Sequence, residues 1–369
     1  MNYSYWELKE WFSNIDFTIV GSGIVGLNCA LELQKKHPNA KILILEKGML
    51  PQGASTKNAG FACFGSLSEI IDDLNSHTEQ EVFNLVEKRW KGLQLLRQNL
   101  GDKNIDFQQN KGFELCESES FFEECITQKE KINKLLNPIF KSDVFSFSEN
   151  IFNFQKVHNK YIVNNFEGQI DTGKMAFNLL NKVQKLGIKV LNNIYVESFT
   201  EKGNQVVVKT DKMTFNSNKL LIATNGFANQ IINEDVQPAR AQVLITKPIK
   251  NLHIKGTFHL DKGYYYFRNI NNRILFGGGR NLDYKGEETT EFGQTEIIQN
   301  KLEEILKTTI LPKTKFEIEH RWSGIMGVGN QKKAIVKQIS ENVFCGVRLG
   351  GMGVAIGSLI GNELACLVD

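Results

Sequence analysis

The feature that most constrains the fold is a strand, turn, helix and strand pattern near the amino terminus, DFTIVGSGIVGLNCALELQKKHPNAKILILEKG. Residues 17–20 predict a short buried strand, and KILILE, ending at Glu46, predicts a second one. A helix is predicted between them, from Ile24 to about Lys36. The G-x-G-x-x-G spacing between strand and helix predicts a dinucleotide-binding unit. Its residues are Gly21, Ser22, Gly23, Ile24, Val25 and Gly26.

Each glycine of this turn has a distinct expected role. Gly21 permits the tight turn, Gly23 lets a pyrophosphate approach the backbone, and Gly26 lets the helix pack close to the strand. The helix N-terminus offers free N–H groups and a partial positive charge to the phosphates. Glu46 follows about 20 residues later, where a carboxylate accepts hydrogen bonds from ribose hydroxyls. This pattern argues against a 2′-phosphate but does not separate FAD from NAD.

The loop after Glu46 has an unusual composition. Residues 53–65, GASTKNAGFACFG, combine three glycines and several small polar residues with an apolar second half. The stretch is too irregular for an amphipathic helix and too apolar for an ordinary surface loop. It therefore predicts a segment with a specific role beside the nucleotide.

The composition is that of an ordinary globular protein. A length of 369 residues predicts two domains. The net charge of +3 gives no reason to expect nucleic acid as a partner, and no apolar run approaches the about 20 residues of a membrane span. The six cysteines are scattered, which predicts reduced thiols in a cytoplasmic protein. The six histidines lack ligand spacing, so we expect no metal site.

The remaining sequence alternates helical and β-rich stretches. Residues 121–136 predict a helix that ends near Pro138, and residues 291–306 predict an amphipathic helix. A third helix is predicted to begin at a cap, Asp171 or Thr172, and to stop at Gly187. The β-rich stretches PARAQVLITKPI, GYYYFRN and NRILFGGGRN predict a sheet of a second domain.

Taken in order, these motifs resemble the D-amino-acid-oxidase-like FAD-dependent oxidoreductases. The resemblance runs from Asp16 to Asp369 and is carried by IVGSGIVGLNCALEL, GASTKNAGF, GQIDTGKMAFNLL, LLIATNG, YYYFRN, RILFGGG, RWSGIMG and GGMGVAIGSLIGNELA. It implies an α/β fold: a Rossmann-type FAD-binding domain and an α+β second domain built on an antiparallel sheet. We assign residues 14–80, 165–226 and 320–369 to the FAD-binding domain, residues 81–164 and 227–319 to the substrate domain, and residues 1–13 to an N-terminal helix.

The resemblance implies FAD and extends the cofactor site beyond the first turn. Some members attach the flavin through a C-terminal cysteine, but this chain has Met326 in the comparable stretch, so we predict non-covalent FAD. The loop after the acidic residue would follow the flavin ring with its backbone, for which small residues are suited. Val196 would contact the adenine side, and the residues of ATNG would line the pyrophosphate side. The cofactor residues implied in addition to the first turn are Glu46, Lys47, Ala54, Ser55, Thr56, Asn58, Ala59, Gly60, Phe61, Val196, Ala223, Thr224, Asn225, Gly226, Gly324, Gly350, Gly351, Met352, Gly353 and Val354.

The resemblance also implies hydride transfer from a C–N bond of a small amine or amino acid to flavin N5. The last helix would point its N-terminus at the flavin, with Arg348 adding a full charge. Tyr264 and Tyr266 share one face of a strand, and aromatic walls suit an amine. These three residues are the predicted catalytic groups.

Two departures from the family pattern bear on the chemistry. Met326 and Val328 stand where amino-acid-oxidising members commonly place a carboxylate-binding arginine, which leaves Arg280, Arg268 and Arg321 as substitutes. Leu275 stands where some members have a lysine that activates oxygen, so the acceptor is either oxygen or another oxidant. The alternatives to amine oxidation are a 2-hydroxyacid dehydrogenase-like enzyme, an RNA-modifying flavin oxidase and a non-catalytic flavoprotein. The substrate and the oligomeric state stay open.

Overall fold

A computed structural model describes residues 2–368 of the chain. The strands within this range are β1 Ile15–Val20, β2 Ile42–Leu45, β3 Phe61–Ala62, β4 Gly112–Leu115, β5 Phe145–Glu149, β6 Lys160–Asn164, β7 Gly168–Gln169, β8 Lys189–Leu191, β9 Val196–Lys202, β10 Gln205–Thr210, β11 Thr214–Ile222, β12 Gln237–Thr246, β13 Thr257–Leu260, β14 Tyr265–Ile270, β15 Arg273–Gly278, β16 Ile318–Val328, β17 Ile335–Ser340 and β18 Val343–Val347.

The α-helices are α1 Tyr5–Glu7, α2 Ile24–Lys36, α3 Ala54–Lys57, α4 Leu67–Ser76, α5 Glu79–Leu100, α6 Asp102–Ile105, α7 Glu119–Phe140, α8 Thr172–Lys185, α9 Glu296–Ile305 and α10 Gly353–Cys366. Single π-helical turns, Leu8–Phe12 and Leu306–Ile310, extend α1 and α9. No helix in residues 2–368 combines the length and apolar character needed to cross a membrane.

The first sheet has the strand order β17-β18-β11-β1-β2-β8, in which all neighbours except β17 and β18 are parallel. The hairpin of β9 and β10 attaches to β11. Helix α2 packs against α10 and α8, and α10 packs against α5. Because the central strands are covered on both faces, β1, β2 and the end of β11 are almost entirely buried.

The second sheet has the order β16-β12-β15-β14-β13-β4-β6-β5 and is antiparallel except where β13 meets β4. An aromatic cluster fills one face, where the rings of Phe258 and Phe267 stack with centroids 4.5 Å apart. The short strands β3 and β7 form a separate two-stranded sheet. The α/β fold and the largely antiparallel second sheet confirm the predicted fold class.

Two predicted helix boundaries are confirmed and two are wrong. Helix α2 covers the predicted residues, and Asp171 caps α8 by accepting a hydrogen bond from the backbone N–H of Lys174 at 2.9 Å. Helix α7 continues through Pro138 because Phe140, in its last turn, is buried among other aromatic rings. Helix α9 begins only at Glu296, because the residue before it, Thr295, is extended, with a φ of −113° and a ψ of 142°.

The predicted domain boundaries stay a prediction, and two elements pack across them. Strand β16, expected largely in the cofactor domain, pairs with β12 in the second sheet. Helix α5, expected in the substrate domain, packs on α10 beside the first sheet. The segment expected to form an N-terminal helix is helical over residues 5–12. Met1 and Asp369, which end two of the predicted segments, lie outside the described residues.

Candidate active site

A continuous cavity of about 990 Å³ lies between the two sheets. On one side it is lined by the carboxyl ends of parallel strands, where Val20, Leu45 and Ala223 lie. On the other side it is lined by second-sheet residues, including Val243 and Tyr266. Ligands of open α/β sheets bind beyond the carboxyl ends of the strands. The volume is at the upper end of the usual range for ligand cavities, about 300–1,000 Å³.

The glycines of the first turn lie where the sequence predicted a close approach. Gly21 has a φ of +103°, and a Cβ on it would stand 2.8 Å from the carbonyl oxygen of Ala223. A Cβ on Gly26 would overlap the carbonyl oxygen of Gly21. Gly21 and Gly23 line the cavity, as do Ile24 and Val25 at the start of α2, whereas Gly26 lies behind it.

Glu46 is held at the end of β2 by a local network. Its carboxylate accepts hydrogen bonds from the Ser22 backbone N–H at 3.1 Å, from the Ser22 hydroxyl at 2.7 Å and from the Gly48 N–H at 3.0 Å. Glu46 lines the cavity and Ser22 does not. Ser22 therefore orients the carboxylate, which is a different role from the expected contact with the cofactor. Lys47 also lines the cavity, with its ammonium 4.6 Å from the centre of the Tyr195 ring.

The predicted flavin loop is a single helical turn, α3, followed by an extended segment. The Ser55 hydroxyl accepts the backbone N–H of Ile24 at 2.9 Å, which joins the loop to the start of α2. The Asn58 side chain accepts the N–H of Gly60 at 2.8 Å and closes the turn. All the predicted loop residues line the cavity except Thr56, whose hydroxyl donates to the Pro51 carbonyl at 2.7 Å. The loop thus lines the cavity along most of its length.

Arg268 fixes the same loop from the second sheet. Its buried guanidinium donates to the carbonyls of Ala59 and Ile170, the latter at 2.9 Å. Arg321 pairs with Glu303 on the surface side of α9. Neither arginine lines the cavity. Of the three arginines considered as carboxylate-binding groups, only Arg280 lines it.

The glycine-rich turn before α10 forms another wall. Gly350 and Gly351 have φ values of +58° and +82°, which glycine adopts without strain. The Asn225 side-chain oxygen accepts the backbone N–H of Leu349 at 3.1 Å, and a Cβ on Gly226 would overlap the carbonyl oxygen of Met326. The predicted residues of this wall line the cavity, namely Thr224, Asn225, Gly324, Gly350, Gly351, Met352, Gly353 and Val354. Gly226 supports the wall from behind.

Arg348 does not occupy the position that we expected. Its guanidinium pairs with the Asp235 carboxylate at 2.6 Å and donates to the Lys333 carbonyl at 2.9 and 3.1 Å. The side chain is buried and does not line the cavity. Its backbone is left-handed, with a φ of +61°. The structure therefore indicates a structural role for Arg348.

A row of residues across four strands of the second sheet faces the first sheet. His259 of β13 pairs with Tyr266 of β14, which pairs with Gly277 of β15, which pairs with Val243 of β12. A Cβ on Gly277 would stand 2.5 Å from a Val243 methyl group and 2.8 Å from the Tyr266 ring. Because Gly277 has no side chain, the side chains of Val243 and Tyr266 can pack close to its backbone. We call the row of these four residues the roof.

The two predicted tyrosines both line the cavity, at different depths. Tyr266 is in edge contact with Phe61 of the flavin loop, with ring centroids 5.5 Å apart, and burial raises the pKa of its hydroxyl to about 12. Tyr264 is 41% exposed, and its hydroxyl accepts a hydrogen bond from the Tyr284 hydroxyl at 2.8 Å. Tyr266 thus belongs to the interior and Tyr264 to the mouth of the cavity.

Several cavity residues were missed by the sequence analysis. His259 is buried in the roof, and Phe292 precedes α9. His259 could have been found from the sequence, because it lies between the apolar residues Phe258 and Leu260 in the short stretch TFHL. Phe292 reaches the cavity only because distant segments meet there. Residues 2–368 bring together no group of three histidine, cysteine or acidic side chains suited to a metal ion.

The residues present fit an FAD. The phosphate end has a helix N-terminus and glycines that leave no Cβ in the way. The ribose position has an oriented carboxylate, and the flavin position has a loop of mostly small residues that lines the cavity. Val196, predicted for the adenine side, is buried and lines the cavity. Together these groups would hold the dinucleotide along its length.

Comparisons with known proteins agree with this geometry. OrdL, a probable oxidoreductase from Haemophilus influenzae, is 21% identical over 371 positions, which cover 95% of this chain and 82% of that protein. L-proline dehydrogenase from P. horikoshii has the same fold, with a TM-score of 0.78 at 19% identity over 96% of this chain and 93% of that one. The TM-score with glycine oxidase from Bacillus cereus is 0.77 at 15% identity, and the match covers 96% of this chain and 97% of that one.

The family comparison covers almost the whole chain. The family described as FAD dependent oxidoreductase, abbreviated DAO, matches residues 16–367. This range contains the dinucleotide turn, the flavin loop, the roof and the glycine-rich turn before α10. The chain is therefore a member of the DAO family of FAD-dependent oxidoreductases.

Proposed function

We propose that the protein oxidises a C–N bond of a small amine or amino acid, with a hydride passing to flavin N5. The observation that carries this proposal is that one cavity joins the cofactor cradle to an aromatic-walled chamber under the roof. The cofactor cradle is the turn of residues 21–26, Glu46, the flavin loop and the glycine-rich turn before α10. Phe61, Tyr266 and Tyr264 supply the aromatic walls, which attract an amine or ammonium group. Three proteins of the same fold, named L-proline dehydrogenase, glycine oxidase and iminodiacetate oxidase, carry names that refer to nitrogen-containing acids.

The chain itself contributes position and electrostatics to such a reaction. FAD supplies the hydride acceptor when it is bound. The first turn of α10, with its partial positive charge, borders the cavity at Gly353 and Val354 and favours negative charge there. The roof excludes water above the flavin loop, and Tyr266 and Phe61 fix the width of the chamber. A neutral amine that is positioned in this way needs little further acid–base assistance.

We infer that FAD is held without a covalent bond. Cys63 is the cysteine that lines the cavity among residues 2–368, and its Sγ lies 3.9 Å from the Met352 sulfur. Burial raises the pKa of this thiol well above its ordinary value, which keeps it protonated and unreactive. Cys345 is buried within β18 and does not line the cavity.

The electron acceptor is proposed to be oxygen or another oxidant. Leu275, considered in relation to oxygen activation, is buried in β15 and does not border the cavity. Lys57 does border it, with its ammonium 5.7 Å from the centre of the Phe292 ring. Stopped-flow reoxidation of the reduced protein in air distinguishes the two cases: rapid return of the yellow form identifies an oxidase.

Anaerobic screening tests the proposed function. Amines, amino acids, 2-hydroxy acids and RNA are each mixed with the FAD-loaded protein, and flavin bleaching is followed at about 450 nm. We expect bleaching by one or more amines or amino acids. Bleaching by hydroxy acids alone would establish the hydroxyacid dehydrogenase alternative, and bleaching by RNA alone would establish the RNA-modifying one. Free FAD under the same conditions is the control.

A further inference from the structure

A buried ion pair in the roof is not used by the proposed reaction. His259 and Glu167 meet with Nε2 and Oε1 2.7 Å apart, and the Thr257 hydroxyl donates to the same oxygen at 2.7 Å. Glu167 is completely buried and His259 is 6% exposed. His259 lines the cavity and Glu167 does not. The carboxylate therefore stands behind the imidazole as seen from the cavity.

The second nitrogen of this imidazole is available to a ligand. Within residues 2–368, Nε2 lies 2.7 Å from Glu167 Oε1, and no hydrogen bond involves Nδ1. The ring is fixed by edge contact with Phe61, with centroids 5.4 Å apart, and by its strand pairing with Tyr266. A rigid donor facing a cavity is completed by an acceptor on the bound molecule.

The charge of the ring follows from its surroundings. Burial by itself lowers the pKa of His259, but the charge and hydrogen bond of Glu167 more than offset this effect, and Glu69 and Glu114 add to it, so that the pKa rises to about 9. Glu114 lies on β4, paired with His259, and burial raises its own pKa. Tyr266, on the other neighbouring strand, is neutral because its pKa is about 12. His259 is therefore a cation at neutral pH.

Within residues 2–368, His259 is the cation that pairs with Glu167. Its Oε2 is buried without a hydrogen-bond partner, and the absence of a Cβ at Gly112 provides the space in which this oxygen fits. A buried carboxylate is costly unless it is paired, so the pair is stable with His259 protonated. This arrangement favours a protonated imidazole at a position that lines the cavity.

We propose that His259 binds a carboxylate of the substrate through a hydrogen bond from Nδ1–H, and that Glu167 positions the ring and keeps it protonated. A charge-assisted bond from a rigid, dry donor is stronger than one from a solvated side chain. Arg280 also lines the cavity, but it stacks on Tyr284 near the mouth, with the guanidinium carbon 4.7 Å from the ring centre. The inference rests on the proposed function, since it selects amino acids over simple amines.

Acetate binding to the oxidised, FAD-loaded protein tests this inference without turnover, by perturbation of the flavin spectrum. We expect His259→Gln to weaken acetate binding about 10- to 100-fold at pH 7, the usual range for a hydrogen bond to a charged group. With a pKa of about 9, only about a tenth of His259 is protonated at pH 10, so wild-type affinity should fall about tenfold between pH 7 and pH 10. Acetamide, the neutral analogue, should show neither effect.

Glu167→Gln separates the positioning role from a merely structural one. This variant should lose acetate affinity at a lower pH than wild type, because the carboxylate that keeps His259 protonated is gone. Matched controls are His253→Gln and Glu287→Gln. His253 lies 3.2 Å from the Phe152 carbonyl, and Glu287 is a buried carboxylate paired with Arg240 at 2.7 Å, and neither lines the cavity. Both controls should bind acetate as wild type does.

The outcomes are distinct from those of the substrate screen. Unchanged acetate affinity in His259→Gln, or wild-type affinity that rises with pH, would overturn the inference. Loss of affinity only in Arg280→Met would do so as well. If Glu167→Gln does not fold, the acetate affinity of His259→Gln still tests whether His259 binds the carboxylate. A failed amine screen combined with pH-dependent acetate binding would reject the proposed substrate class while leaving His259 as an anion-binding residue.

Discussion

The cofactor cradle and the roof line the same cavity, but the cradle depends mainly on backbone contacts and the roof on side chains. The cradle is made largely of backbone: Gly21 and Gly26 permit contacts that a side chain would block, and Ser55 accepts a backbone N–H. The roof is made of side chains, with His259 and Tyr266 projecting from adjacent strands. Backbone contacts are determined within short stretches of sequence, whereas the roof depends on register between distant segments.

This difference explains why the two regions tolerate change differently. In the cradle a single methyl group collides with a fixed carbonyl, and neither neighbour can move without moving a strand or a helix. In the roof the same methyl group collides with side chains, which adjust by rotation. The cradle should therefore lose the cofactor when it is altered, and the roof should lose selectivity or rate while keeping it.

The largest effect is expected in the cradle, for Gly26→Ala. The added Cβ would overlap the Gly21 carbonyl oxygen and separate α2 from the end of β1. We expect a loss of stability of about 4 kcal/mol or more, with loss of bound FAD. The ratio of flavin to protein absorbance and the thermal unfolding midpoint measure both effects. Gly53→Ala is the matched control for stability, because a Cβ there meets no protein atom within 4 Å; an equally large fall in the unfolding midpoint of Gly53→Ala would contradict the explanation.

A smaller and different effect is expected in the roof, for Gly277→Ala. The Cβ would stand 2.5 Å from Val243 and 2.8 Å from Tyr266, and the tyrosine ring should shift toward the cavity. We expect normal FAD content and about a tenfold lower kcat/KM with whichever substrate bleaches the flavin, since a displacement of about 1 Å can cost up to about 100-fold in rate. Loss of FAD with unchanged kcat/KM in the remaining holoenzyme would remove the distinction between the two regions.

The smallest effect on the flavin is expected for Arg348→Ala, at the edge of the cradle. Removing the guanidinium leaves Asp235, whose side chain is 42% exposed, and the Lys333 carbonyl without their partner. We expect the free energy of unfolding to fall by about 1–3 kcal/mol and the flavin midpoint potential to stay the same. Denaturant unfolding and a redox titration measure these quantities. A lowered potential would show instead that the charge of Arg348 reaches the flavin.

Much of the fold was predictable because its signals are local. The turn from Gly21 to Gly26, the cap at Asp171 and the left-handed Gly187 each depend on neighbours within a few residues. The end of α7 was not predictable in this way. Burial of Phe140 in its last turn stabilises the helix beyond Pro138. This stabilisation depends on contacts with distant aromatic rings such as Phe64, which a local sequence pattern does not reveal.

The sequence by itself determined the dinucleotide turn, the carboxylate at Glu46 and the loop of residues 53–65. These features depend on backbone geometry and small residues, which give recognisable patterns within short contiguous segments. Only the tertiary structure decided which charged residues face the cavity. It turned Arg348 toward Asp235, used Arg268 to hold the flavin loop, and placed Glu167 behind His259, 92 positions away along the chain. The physical reason is that a charged side chain takes the nearest partner in space, and strand pairing rather than sequence proximity sets that distance.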